Sequence, residues 1–134
     1  MNLKLVTILL VEDEIITATT QAYKLIQIGH KVVIASTPGK AFDLIESSDY
    51  TFDLVLMDID LGCELNGIQT AEIIITKHKI PVIFLTSNSD SEIIRQANSV
   101  SHYGYILKGK SHLVLVNAIE MAMQFGNCFI SSDK

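Results

Sequence analysis

Five short apolar runs, rich in β-branched residues, punctuate the chain: Leu5–Val11, Lys31–Ala35, Leu54–Met57, Val82–Thr86 and Gly104–Leu107. The first, third and fourth are nearly continuous in apolar side chains, the pattern of parallel strands covered on both faces. Longer stretches with helical spacing separate them. Glu14–Ile28 places Ile15, Ala18, Ala22, Leu25 and Ile26 on one face and stops at Gly29, a residue suited to a helix C-terminus. Pro38 opens the next helix, Gly39–Glu46, in its favoured first-turn position. Helices over Gly67–Lys77, Asp90–Asn98 and Ser111–Gln124 complete the series, with Asn66 and the Ser87-Asn88-Ser89 cluster as caps. On the last of these, Leu113, Val116, Ile119, Ala122 and Met123 fall in register. Such an alternation predicts a five-stranded parallel sheet with helices on both faces and right-handed crossovers. It reads as one α/β domain over residues 1–134, with a core from about residue 5 to 125.

Bulk properties narrow the function classes. An apolar fraction of 49% is ample for one well-buried core. The net charge of −5, with acids and bases dispersed, argues against a directly bound nucleic acid, which needs clustered Lys and Arg. No polybasic stretch faces anionic lipid, and no apolar segment approaches the roughly 20 residues of a membrane helix. The apolar start meets Glu12-Asp13-Glu14 at once instead of a small-residue cleavage site. Cys63 and Cys128 form no spaced pair and read as reduced thiols. The expectation is a cytoplasmic protein that contacts no membrane.

In an open α/β sheet, ligands bind beyond the carboxyl ends of the strands. Strand one ends in Glu12-Asp13, strand three in Asp58 followed by Ile59-Asp60, strand four in Thr86, and strand five in Lys108. Polar residues often mark a strand end only because the chain reaches solvent there; four ends with these complementary chemistries tell against that. Carboxylates brought together repel unless a cation neutralises them, and carboxylate oxygens favour a hard ion such as Mg²⁺. A carboxylate can act as nucleophile toward phosphorus, while a lysine and a hydroxyl stabilise the transferred group. The predicted site is one for phosphoryl transfer.

The segments ILLVEDE (Ile8–Glu14), DLVLMDIDL (Asp53–Leu61), NGIQTAEII (Asn66–Ile74), IPVIFLTSNSD (Ile80–Asp90) and YGYILK (Tyr103–Lys108), in this order, resemble the receiver domain of bacterial response regulators. The resemblance spans nearly the whole chain. It implies a flavodoxin-like, doubly wound (βα)5 fold with strand order 2-1-3-4-5. Asp58 matches the phosphoacceptor. Glu12 and Asp13 match the acidic pair that holds Mg²⁺ together with Asp58 and the backbone carbonyl of Asp60. Thr86 resembles the switch hydroxyl, Tyr105 the aromatic that changes burial with it, and Lys108 the lysine that pairs with the phosphoryl oxygens. Asp60 and Asn88 match positions that tune the phosphate lifetime, in a direction left open. The implied partners are a histidine kinase or phosphotransfer protein and an output domain or protein of unspecified kind. The responsive surface comprises the fourth helix, fifth strand and fifth helix, which could also serve a homodimer. The implied role is that of a phosphoacceptor and not of an enzyme acting on other substrates.

The family usually has proline after the lysine, in a cis peptide bond; here Gly109 follows Lys108. A cis bond before a non-proline residue costs ~2.5–4 kcal/mol, which favours trans. Gly109 is the one feature favouring a pseudo-receiver, the same fold used as an interaction module without phosphorylation. A further rival is a haloacid-dehalogenase-type phosphatase, whose two-aspartate motif Asp58-Ile59-Asp60 resembles. That family has its acidic pair late in the chain, whereas here Glu12-Asp13 comes first. His30, His78, His102 and His112 lack metal-ligand spacing and read as surface or loop residues; Met121 and Met123 read as core packing. The chain is expected either to act alone by binding or to come from a longer protein, and its YGYILK and IPVIFLTS segments, which resemble receivers attached to sensor modules or hybrid histidine kinases, lean toward the latter.

Overall fold

The computed structural model describes residues 5–59, 67–86, 95, 104–107 and 112–124. The elements are β1 (Thr7–Val11), α1 (Ile15–Ile28), β2 (Lys31–Ala35), α2 (Pro38–Glu46), β3 (Leu54–Asp58), α3 (Gly67–Ile73), β4 (Val82–Thr86), β5 (Gly104–Leu107) and a C-terminal helix (His112–Gln124). All strand pairings are parallel, in the order β2-β1-β3-β4-β5. The expected helix over Asp90–Asn98 lies outside the described residues, apart from Arg95, which is helical.

Strand periodicity sorts the core into two halves, because successive side chains point to opposite faces. Leu9, Val11, Val55, Met57, Val82 and Phe84 form one cluster with Ala41 of α2 and Ile68 and Ala71 of α3. Ile8, Leu10, Leu54, Leu56, Ile83 and Leu85 form the other with Ala18, Ala22 and Leu25 of α1 and Leu115, Ile119 and Ala122 of the C-terminal helix. Every residue of β3 and β4 is buried, which explains their unbroken apolar sequence. Burying each such Val, Leu or Ile side chain contributes about 1.5–3 kcal/mol.

Local chemistry sets the helix ends. The Thr37 side chain accepts the Lys40 N–H at 3.1 Å and Pro38 fills the first turn of α2. Gly29 ends α1 with φ 121°, and its N–H donates to the Ile26 carbonyl at 2.9 Å. Ile15 and Ile26, expected on the buried face of α1, are 78% and 52% exposed. At 3.6 residues per turn both project roughly 60–80° to one side of Ala18, so the small residues Ala18 and Ala22 meet the sheet and the isoleucines flank it. Met121, expected in the core, is likewise 59% exposed, while Leu115, Ile119 and Ala122 make the buried stripe.

The helix expected over Gly67–Lys77 changes character after Ile73 and continues as a π-helical turn over Ile74–His78. The Thr76 hydroxyl donates to the Glu72 carbonyl at 2.7 Å, within the widened turn, competing for an acceptor that an α-helix would reserve for its own ladder. Lys79 closes the turn in the left-handed region at φ 60° and donates to the Ile75 carbonyl. Two histidines depart from their expected surface positions. His30 is 5% exposed, and its Nδ1 accepts the Val6 N–H at 3.2 Å. His78 is largely covered, with Nε2 3.7 Å from the Glu46 carboxylate.

Candidate functional site

Glu12 and Asp58 come together because of register. Val11 and Met57 are the last paired residues of β1 and β3, so Glu12 and Asp58 follow one step beyond on adjacent strands. Both continue the alternation of Ile8, Leu10, Leu54 and Leu56, which places them on the α1 side at the carboxyl edge of the sheet. Glu12 and Asp58 are each 2% exposed, while Asp13 stands at the surface. Carboxylate oxygens of Glu12, Asp13 and Asp58 lie within 4.8 Å of one another. Ligands at about 2.1 Å in an octahedron lie about 3–4 Å apart, so three anionic oxygens at this spacing suit a small hard divalent cation.

The backbone fastens this edge. The Glu12 N–H donates to the Ala35 carbonyl at 3.0 Å, tying the acid pair to β2. A Glu12 carboxylate oxygen accepts the Glu14 N–H at 3.2 Å, and Glu14 accepts the Thr17 hydroxyl at 2.6 Å, so the acidic turn is braced against the start of α1. After Asp58, the Ile59 N–H donates to the Leu85 carbonyl at 3.0 Å and the Ile59 carbonyl accepts the Gly67 N–H at 3.1 Å. Beside Glu12, a cavity of about 230 Å³ runs along α1 between Ile16, Thr17, Thr20 and Gln21 on one side and Leu10 and Leu85 on the other.

Thr86 ends β4, is 1% exposed, and pairs with Leu107 of β5. It follows the parity of Val82 and Phe84, and so belongs to the α2–α3 side of the edge, opposite to Asp58. Tyr105 lies in β5, its backbone paired with Phe84. Asp60, Asn88, Lys108 and Gly109 lie outside the described residues. The structure therefore brings together three of the site residues read from the sequence, Glu12, Asp13 and Asp58, and places Thr86 on the neighbouring strand. Sequence reasoning passed over Gly67, whose signal was a glycine at the expected start of a helix, where side chains that pack are the rule.

A family model described as the response regulator receiver domain matches residues 8–120, and the chain belongs to that family, the receiving domain of two-component signalling. Among curated relatives, the transcriptional regulatory protein PdtaR of Mycobacterium tuberculosis is 30% identical over 117 residues, covering 87% of this chain and 56% of the relative. The chain thus spans little more than half the length of that relative. Among solved structures, the N-terminal domain of a response regulator/sensory box/GGDEF three-domain protein from Carboxydothermus hydrogenoformans superposes with TM-score 0.80 at 38% identity, over 90% of this chain and 95% of that one. The receiver domain of NtrX from Brucella abortus gives TM-score 0.80 at 27% identity, over 88% and 98% of the two chains. The flavodoxin-like receiver fold is thereby established. No described helix is long and apolar enough to cross a membrane.

Proposed function

We propose that this chain, as a single (βα)5 receiver unit of strand order 2-1-3-4-5, accepts a phosphoryl group on Asp58 from a histidine kinase or phosphotransfer protein. The observation that carries the reading is the approach of the Glu12, Asp13 and Asp58 carboxylates to within 4.8 Å at the carboxyl edge of the sheet, with Asp58 buried at the end of its central strand β3. An Asp58 carboxylate oxygen forms the new O–P bond as the N–P bond of the donor phosphohistidine breaks. The departing imidazole keeps that electron pair and takes up a proton. Glu12, Asp13, Asp58 and the Asp60 backbone carbonyl would hold Mg²⁺, which would supply positive charge to neutralise the acid cluster and the incoming phosphoryl oxygens.

In the same reading, Lys108 pairs with a phosphoryl oxygen and the Thr86 hydroxyl moves toward the group, with Tyr105 changing burial as it does so. Asp60 and Asn88 set the phosphate lifetime through the attacking water. The fourth helix, fifth strand and fifth helix then present an altered surface to an output domain or to a second copy, in the cytoplasm. The domain assists only its own phosphorylation and dephosphorylation.

Beryllofluoride tests this reading, because it mimics an acyl phosphate on a carboxylate. A ¹⁹F resonance from bound fluoride should appear only with Mg²⁺ present and should vanish in Asp58→Asn. Lys108→Ala should leave Mg²⁺ binding intact and disconnect it from changes at Tyr105. Gly109 favours the interaction-module alternative, and a folded protein that binds neither beryllofluoride nor phosphate in Mg²⁺ would establish it. Turnover of a small phosphate ester would instead mark a phosphatase.

A further inference from the structure

α3 begins directly against the peptide that carries Asp58. Its first residue, Gly67, is buried and donates its N–H to the Ile59 carbonyl at 3.1 Å. A Cβ added to Gly67 would fall on the Asp58 carbonyl oxygen, 2.7 Å from Ile59 Cα and 2.8 Å from the Asp58 carbonyl carbon. All three are backbone atoms, so no side-chain rotation relieves the overlap. The φ of Gly67 lies outside the left-handed region, so what excludes a side chain here is close approach and not a backbone angle. Gly29 and Gly39 differ: Gly29 occupies a left-handed turn at φ +121°, and a Cβ on Gly39 would meet nothing nearer than Thr37 Oγ1 at 4.0 Å.

The Asp58–Ile59 peptide is thus held from two sides. β4 holds it through the Leu85 carbonyl at 3.0 Å and α3 through the bare Cα of Gly67. We propose that Gly67 is a positioning residue for phosphoryl transfer, whose missing side chain lets α3 press the Asp58–Ile59 peptide into the place from which the Asp58 carboxylate shares a cation with Glu12 and Asp13. This rests on the phosphoacceptor reading of Asp58. Any side chain at position 67 drives helix and peptide apart by about an ångström, and such a misplacement at a reacting group can cost about 100-fold in rate.

The test compares Gly67→Ala and Gly39→Ala with the wild-type chain, each held well below its own melting temperature. Two quantities are read: the Mg²⁺ midpoint, from amide NMR shifts, and the initial rate of labelling by acetyl phosphate. Gly67→Ala should raise the Mg²⁺ midpoint about tenfold or more and slow labelling by up to about 100-fold, while Gly39→Ala matches wild type on both. A Gly67→Ala protein that melts earlier but keeps both values would reduce Gly67 to a packing role and overturn the inference. Should Gly67→Ala not fold, the wild-type Gly67 amide decides the matter. Its resonance should move during the Mg²⁺ titration with the same midpoint as that of Asp13, and an unmoved resonance overturns the proposal. Wild-type protein that takes no label at all would overturn the phosphoacceptor reading itself, and this inference with it.

Discussion

At the N-terminal end of β1 the imidazole of His30 is buried and accepts the Val6 N–H; at the C-terminal end Glu12 is buried beside Asp58 and Asp13. One strand therefore carries a buried polar group beside each of its ends, and the two solve the desolvation problem differently. At His30 a neutral ring and one hydrogen bond satisfy a backbone donor, so the group closes a gap in the structure. At Glu12 the polar group is one of three carboxylates brought close together, an arrangement that a divalent cation would stabilise. The first end stabilises the fold as it stands. The second brings three carboxylates to one edge, where a divalent cation could be held.

Substitution at the acceptor should separate the ends most sharply. Asp58→Asn should abolish phosphoryl labelling while leaving a folded protein, and in the absence of Mg²⁺ it should melt higher than wild type because one buried like charge is gone. Melting curves with and without Mg²⁺ check this, and a lower melting temperature without the ion would contradict the view that the carboxyl end is under charge repulsion.

Between the ends, Leu9 is fully buried, and Leu9→Ala should cost about 2–5 kcal/mol in urea unfolding. Its Mg²⁺ midpoint should stay at the wild-type value, because Leu9 faces the α2–α3 side. Glu12→Ala should do the reverse, weakening Mg²⁺ binding by at least about tenfold, as loss of a ligand requires, with little loss of apo stability. A shifted Mg²⁺ midpoint in Leu9→Ala, or an unshifted one in Glu12→Ala, would erase the division between core and edge.

The smallest effect is expected at His30. Burial lowers its pKa from 6.5, so the folded protein binds this proton less readily than the unfolded chain. Stability from this group is then full above the unfolded value and falls as pH drops through 6.5 toward the lowered folded value. Acid adds an N–H at Nδ1, facing the Val6 donor it previously accepted. His30→Gln should be less stable than wild type at pH 7.5, and the gap should narrow by pH 5.5. Urea midpoints at the two pH values measure it, and a gap that widened on acidification would reverse the assigned sign.

Much of this was legible in the sequence, and the reasons differ by element. Lys31–Ala35, Val82–Thr86 and Gly104–Leu107 form strands at the residues their apolar runs delimit, whereas the first run loses Leu5, which is 55% exposed, and Val6, which is buried, ahead of β1. Glu12, Asp13 and Asp58 could be grouped because parallel strands in register deliver their terminal residues to one edge. Helix faces were less legible. Apolar spacing cannot tell Leu25, which meets the sheet, from Ile26, which flanks it, since adjacent positions differ by only about 100°. The burial of His30 was hidden because it depends on a backbone donor at Val6, far away in sequence. The π-turn after Ile73 turns on a hydroxyl bond from Thr76, and the role of Gly67 on an approach between segments that no periodicity encodes.

Intact mass after incubation with Mg²⁺ and acetyl phosphate tests the central claim most directly. The account predicts one added phosphoryl group on the wild-type chain, lost when Mg²⁺ is withheld and lost in Asp58→Asn. A wild-type mass that does not change, or an added group that persists in Asp58→Asn, would contradict it.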